Sequence, residues 1–395
     1  MKKLMFYCQH ILGIGHLIRS MEIVRGLTQD FQVCFINGGE VIQDFQVPKG
    51  VTVVNLPAIK TDTEFRELRP VDKSLSLEVV EETRKHQLLN QIATFEPDVL
   101  MVELFPFGRR RFSFELIPLM EAAKARGTKV VCSLRDIVVT KQDQARHEAK
   151  ICRLMNQYFD QLLIHGDPNL HPLEDSFSRV EDLNCEVHYT GYVAQKPENN
   201  RLTLVDRWAL SRQTPMILVS VGGGRFGHEL LKGMVGAAEC LATRIPHHIQ
   251  MFAGPFIPET VFWQLKQAGQ DCSNLHIHRY TPNLLAYMKR ADLSVSMSGY
   301  NTTMNILTTG VNALMLPFTG NDDQEQTLRV RRLDELGVVQ MLQTRDVANY
   351  KRLAQRVESA LSHTPHPPQF DLDGVRQTSE RVKSLAYQTT SAVAA

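Results

Sequence analysis

Met216-Ile217-Leu218-Val219-Ser220-Val221-Gly222-Gly223-Gly224-Arg225-Phe226-Gly227-His228 is the stretch on which the fold turns. Its first six residues carry no charge and are rich in branched and apolar side chains, which reads as a strand buried on both faces. From His228 to Leu241 the pattern becomes helical. A strand, a glycine-rich turn and a helix form the opening of a βαβ unit. Three consecutive glycines are conformationally loose and costly in a plain connection, so they suit close backbone approach to a phosphate. Arg225 reads equally as a cation beside that group or as a solvated loop charge.

Working outward, short β-rich runs alternate with longer amphipathic stretches on both sides, the pattern of parallel sheets built from βαβ units. The second half supplies strands at Met216–Val221, His248–Ala253, Leu275–Tyr280, Asp292–Met297, Ala313–Phe318 and Val338–Leu342. The first half supplies Leu4–Cys8, Gln32–Asn37, Val51–Leu56, Asp98–Leu104, Thr128–Leu134, Gln161–Gly166 and Glu186–Gly191. Between them lies the polar, proline-punctuated Gln195-Lys196-Pro197-Glu198-Asn199-Asn200-Arg201, which reads as a linker. A second break, Thr364-Pro365-His366-Pro367-Pro368, precedes a final helix from about Gly374 to Tyr387. The expected class is therefore α/β, with two Rossmann-like domains whose parallel sheets face a cleft. The domains are expected at 1–195 and 196–365, with 366–395 as a C-terminal helix. Ligands of such sheets lie at the carboxyl ends of strands.

Composition narrows the function classes. Lys plus Arg total 44 against 43 for Asp plus Glu, a net charge of +1, so no global field recruits nucleic acid and an anionic ligand must be held locally. With 43% hydrophobic and 22% charged residues the chain is globular. The apolar start Leu4-Met5-Phe6-Tyr7-Cys8 stops at Gln9-His10, too short for a secretory signal, and reads as a first strand. No run reaches the roughly 18 apolar residues of a membrane span, which leaves only peripheral contact with lipid. Seven widely spaced cysteines without a Cys-x-x-Cys pair suit buried thiols in the cytoplasm rather than a disulfide framework or a zinc site.

After the first strand comes Gly13-Ile14-Gly15-His16-Leu17-Ile18-Arg19-Ser20, with Leu17, Met21 and Val24 at helical spacing. Glycines there let the chain turn into a helix whose N-terminal N–H groups can face an anion. The third glycine of a dinucleotide fingerprint is missing, since Ile18 occupies its place, and this argues against a nicotinamide cofactor. His16 reads either as a capping histidine or as a functional one, with Arg19 on the same side of the helix. In Glu103-Leu104-Phe105-Pro106-Phe107-Gly108-Arg109-Arg110-Arg111-Phe112 the arginines suit an acidic acceptor or membrane surface, with the phenylalanines as apolar contacts. The same run also reads as a helix start with core phenylalanines. Glu103 is the best carboxylate to orient an acceptor or His16. Arg135-Asp136 is equally open. The scattered histidines form no recognisable ligand set, so no metal is expected.

In the second half Thr281-Pro282 reads as an N-cap and first helical residue, and Ser298-Gly299 opens a helix ended by Gly310. Polar side chains gather after three successive strands, as a sugar site requires. Here Arg279–Gly337 resembles the donor-binding half of GT-B glycosyltransferases, particularly the MurG-like N-acetylglucosaminyl transferases. The resemblance is carried by Ala291-Asp292, Ser298-Gly299, Pro317-Phe318 and Glu325-Gln326, with the two glycine-rich loops where that family has its own. It implies Tyr280 beside the nucleotide base and Asn305 at the ribose. It also implies Ser298, Gly299, Gly223, Gly224 and Arg225 along the pyrophosphate, and Asp323 and Gln326 facing the donor sugar. Gly13, Gly15, Arg19 and Arg109 would lie on the acceptor or phosphate side. The family has Glu where this chain has Asn305, and Gln where it has Glu325. Gly13-x-Gly15-His16-x-x-Arg19 also resembles the UDP-sugar hydrolases of pseudaminic acid synthesis. The expected function is metal- and cofactor-free transfer from a UDP-sugar to an acceptor hydroxyl, with His16 as base. A hydrolase, an epimerase of similar architecture and a catalytically silent sugar-nucleotide sensor are the alternatives.

Overall fold

The computed structural model describes residues 1–11, 15–42, 45–61, 67–139, 143–196, 202–320, 324–363 and 369–388. Much of the expected linker, the proline-rich break, Gly13 and Asp323 lie outside the described residues. The chain divides into two compact units, residues 1–194 with 371–395, and residues 195–370.

In the first unit the strands are β1 (Lys2–Cys8), β2 (Phe31–Asn37), β3 (Thr52–Asn55), β4 (Ile59–Thr61), β5 (Leu68–Pro70), β6 (Val99–Glu103), β7 (Lys129–Arg135), β8 (Gln161–His165) and β9 (Glu186–Tyr189). Seven of them form a parallel sheet in the order β3-β2-β1-β6-β7-β8-β9. The alternation of side chains along β1 sends Met5 and Tyr7 into one core layer, and Leu4, Phe6 and Cys8 into the other. Both faces of the strand are therefore buried, which is why its sequence is a continuous apolar run rather than an alternating one. Leu17, Met21 and Val24 of the helix Gly15–Leu27 cover the second layer, and Val382 and Leu385 of the helix Gly374–Tyr387 join them. Each fully buried aliphatic side chain of this kind contributes about 1.5–3 kcal/mol. The last helix thus completes the core of the unit in which the chain began.

The antiparallel pair β4 and β5 has no counterpart in the sequence reading. Its segments are three residues each, too short for a period-2 signal to emerge.

In the second unit β10 (Met216–Ser220), β11 (His248–Phe252), β12 (Leu275–His278), β13 (Leu293–Met297), β14 (Ala313–Leu316) and β15 (Gln340–Met341) form a parallel sheet in the order β12-β11-β10-β13-β14-β15. Ile217, Val219 and Val221 pack with Leu230, Met234 and Leu241 of the helix His228–Ala242. The helix expected to start at Thr281-Pro282 runs instead from Leu284 to Arg290. The Thr281 hydroxyl accepts from the Asn283 N–H at 3.1 Å, closing a local turn that holds the chain out of the helix. No helix of the described residues is long and apolar enough to cross a membrane, and all seven cysteines are free thiols.

Candidate functional site

In each sheet the strand order reverses beside the first strand of the unit. The chain leaves β1 toward β2 and leaves β6 toward β7, so the connections after these neighbouring strands diverge and open a crevice at their carboxyl ends. His16, the second residue of the helix after β1, and Glu103, the last residue of β6, meet there. His16 Nδ1 lies 2.7 Å from Glu103 Oε1, and Arg19 Nη2 donates to the same oxygen. The i and i+3 spacing on one helix lets both side chains reach one carboxylate.

Glu103 and Arg19 are buried, whereas 18% of the His16 side chain stays open. Burial alone would raise the Glu103 carboxyl, but His16, Arg19 and Arg109 outweigh it and hold it well below the usual carboxylate range. An ionised carboxylate only accepts, which places the imidazole proton on Nδ1 and leaves the Nε2 lone pair available. Burial pushes His16 down to about 3 against the pull of Glu103, and the positive charges of Arg109 and Arg135 act in the same direction as burial. The resting imidazole is therefore neutral, held by a carboxylate behind it. That is the arrangement of a general base with an orienting partner.

A second network fixes the chain leaving β1. Arg84 Nη2 donates to Gln9 Oε1 at 2.7 Å, and its Nη1 donates to the carbonyls of Gly38 and Pro57 at 2.8 and 2.9 Å. Glu115 neutralises this buried guanidinium at 2.6 Å and accepts from the Tyr7 hydroxyl at 2.5 Å. Nothing in the sequence near Arg84 or Glu115 points to this pairing, because the partners are 31 residues apart on separate helices.

Some predicted contributors change role. Phe105, Phe107 and Phe112 are buried in the core, so they are not available as contacts for an acceptor or a membrane. Arg110 and Arg111 are exposed. Arg19, expected on the phosphate side, is 1% exposed and bonded to Glu103, which makes it a positioning residue. Gly15 begins the helix that carries His16.

In the second unit the corresponding crevice lies between the connections after β10 and β13. Gly222 and Gly224 have φ of 65° and 83°, conformations that L side chains rarely adopt. A Cβ on Gly224 would lie 2.4 Å from the Ala253 carbonyl, and the Phe256 N–H donates to the Gly223 carbonyl at 2.9 Å. The triple glycine is thus needed partly to pack one loop against the next, a reason invisible in the sequence. Arg225 sits over the Phe256 ring, 5.0 Å from its centre, and His228 Nε2 donates to the Gly224 carbonyl at 2.8 Å.

Gly299 caps the helix Tyr300–Thr309, and Gly310 ends it in the left-handed conformation. Gln326 Oε1 accepts from the Ser298 hydroxyl at 3.3 Å and from the Phe318 N–H at 3.1 Å, tying together the connections after β13 and β14. Asn305 is buried, donates to Gln195 Oε1 at 3.3 Å, and leaves its own Oδ1 without a partner. Tyr280, after β12, is 59% exposed. Glu325, where the resembled family has glutamine, forms a buried ion pair with Arg329 at 2.7 Å, and Arg329 lies over the Tyr300 ring. The carboxylate is therefore committed to Arg329 inside the unit.

Residues 216–381, starting at the first residue of β10, match the family model of the glycosyltransferase family 28 C-terminal domain. This segment is similar to that domain.

A curated protein similar to this chain is UDP-N-acetylglucosamine--N-acetylmuramyl-(pentapeptide) pyrophosphoryl-undecaprenol N-acetylglucosamine transferase of Finegoldia magna. It is 21% identical over 193 residues, covering 49% of this chain and 48% of the relative, so the chain spans about half the length of the curated protein it matches. Among solved structures, Acinetobacter baumannii MurG superposes with a TM-score of 0.57 at 15% identity, over 98% of this chain and 100% of that one. Phytolacca americana UGT2, solved with UDP-2fluoro-glucose and pterostilbene, superposes with a TM-score of 0.61 at 14% identity, over 98% and 95%. The calicheamicin glycosyltransferase CalG4 gives 0.58 at 14%, over 97% and 94%. The fold is the MurG-like GT-B fold of these glycosyltransferases.

Proposed function

We propose that this chain is a glycosyltransferase that takes a sugar from a nucleotide-sugar donor, a UDP-sugar by preference, and passes it to an acceptor hydroxyl with His16 as general base. The observation that carries this reading is the His16–Glu103 dyad at 2.7 Å, in a chain whose residues 216–381 match the family 28 C-terminal model. His16 Nε2 takes the proton of the acceptor hydroxyl as its oxygen forms a bond to the sugar carbon, and the bond from that carbon to the donor diphosphate breaks. Glu103 stabilises the imidazolium so formed. A base so placed contributes roughly 10²–10⁴-fold in rate.

Along the donor, Gly223, Gly224, Arg225, Ser298 and Gly299 hold the diphosphate. The helix Tyr300–Thr309 directs its N-terminus at the developing negative charge, an effect of up to about 2 kcal/mol. Asn305 Oδ1 accepts from the ribose, Tyr280 lies beside the base, and Gln326 faces the sugar. No metal enters the scheme. The seven free cysteines favour a reducing compartment, and we propose the cytoplasm.

The dyad would activate water equally well, so product analysis is the decisive test. His16→Ala should lower turnover by roughly two to four orders of magnitude while UDP affinity stays unchanged. With a UDP-sugar alone the protein should release sugar slowly, and cell extract should stimulate it and yield a new glycoconjugate. Fast hydrolysis that extract does not redirect would make the protein a UDP-sugar hydrolase instead.

A further inference from the structure

The sheet of the second unit has two unlike interiors. On one face Ile217, Val219, Ile249, Met251, Leu293 and Val295 form an apolar layer with the helix His228–Ala242. The alternate residues of the same strands point to the other face, and they include Ser220, Gln250, Ser294 and Ser296, each at most 2% exposed. The chain leaves β10 toward β11 and leaves β13 toward β14, in opposite directions across the sheet. Right-handed crossovers therefore put the helix Tyr300–Thr309 over this second face. Parallel register sets Ser220 directly beside Ser296, with Gln250 and Ser294 on either side of Leu218 one rung deeper.

The Oγ atoms of the three serines and both amide atoms of Gln250 are buried and have no hydrogen-bond partner among the described residues. A buried donor or acceptor left unpaired costs its full desolvation, so five such atoms on one face would offset much of the marginal stability of a domain. In the first unit the buried polar groups of neighbouring strands pair directly. Ser133 Oγ lies 2.8 Å from His165 Nε2, and Thr190 Oγ1 lies 2.9 Å from His165 Nδ1. A long imidazole spans the gap between strands, and a serine does not. Neighbouring strands stand about 4.7–4.9 Å apart, so two hydroxyls side by side are too distant for one bond and well placed to share a third oxygen at about 2.8 Å from each. The set carries no formal charge and offers both donors and acceptors, which suits water and not an ion.

We infer that this face of the second unit binds internal water, one molecule bridging the Ser220 and Ser296 hydroxyls and further molecules joining the Gln250 amide and Ser294 to it. Ser220 is the last residue of β10, and Ser296 lies two residues before Ser298. The water is thus part of the floor beneath the connections after β10 and β13, and it ties the two strand ends together where no side chain crosses between them. The site stands whether or not the crevice takes a nucleotide-sugar.

Two measurements on the full chain test it. A crystal structure at a resolution that orders internal water should show an oxygen within hydrogen-bond reach of both hydroxyls. Ser296→Ala and Gln250→Met are near-isosteric and delete water-binding atoms, and each should lower the unfolding temperature by about 2–4 °C, the shift of one net hydrogen bond in a domain of 150–250 residues. In a dry layer the same changes would remove unsatisfied polar atoms, and the temperature would rise instead. A rise in both variants overturns the inference. So does a crystal structure in which the three hydroxyls and the Gln250 amide meet only protein atoms, and that structure decides alone if either variant fails to fold.

Discussion

The two units place a crevice at the same topological position and furnish it with different chemistry. Beside β1 and β6 stand a histidine, a buried carboxylate and arginines, groups that hold or move protons and charge. Beside β10 and β13 stand glycine backbone, a serine hydroxyl and two amides, groups that donate and accept hydrogen bonds, with Arg225 and His228 in the connection after β10 and no buried carboxylate–histidine pair among the residues described there. Sheet order decides where a site lies, and the few side chains at the strand ends decide what it does. Each unit also buries a glutamate–arginine pair, Glu103 with Arg19 and Glu325 with Arg329, and these pairs serve different ends.

That difference predicts the largest effects. Glu103→Gln and Glu325→Gln each remove the opposite charge beside a buried arginine and should each cost about 3–5 kcal/mol in stability. Only Glu103→Gln should also reduce turnover, by roughly 10²-fold or more, when both variants are assayed below their melting range. Equal losses of turnover would erase the distinction between a carboxylate that orients a base and one that only completes a helix.

A smaller effect belongs to the crevice that holds His16. His16 and His165 are both pushed by burial to about 3, below the ordinary histidine value, so the unfolded chain takes up protons first as pH falls. Their contribution to stability is therefore full above about pH 6.5 and is lost progressively as pH drops toward 3. Melting temperature should decline through that window. kcat/KM, which reports the free enzyme, should show no acid limb near 6.5, because His16 is already neutral there. An acid limb centred at 6.5 would place the base in a far more solvated setting.

The smallest expected change is in the crevice of the second unit. Asn305→Ala should weaken UDP binding by about 0.5–1.5 kcal/mol, the size of one hydrogen bond. Calorimetric titration with UDP measures it directly, and an unchanged affinity would leave Asn305 as a residue that only anchors Gln195.

The amino-acid sequence by itself determined the parallel sheets, because strands buried on both faces must be continuous apolar runs and the helices between them must carry one apolar face. Leu4–Cys8 and Met216–Val221 were legible for that reason. The glycine-rich connections were legible because glycine adopts the left-handed backbone at Gly222 and Gly224 far more readily than other residues. His16 and Glu103 stood out singly as a histidine at a helix mouth and a carboxylate after a strand. Only the tertiary structure decided that they bond, that Arg19 is spent on the same oxygen, and that the phenylalanines around Arg109 belong to the core. It alone paired Arg84 with Glu115 and Glu325 with Arg329. Patterning along a chain records which face of an element is dry, since burial acts on each residue through its own periodicity. The partner of a buried charge is chosen by sheet order and side-chain reach, and neither leaves a mark in local sequence.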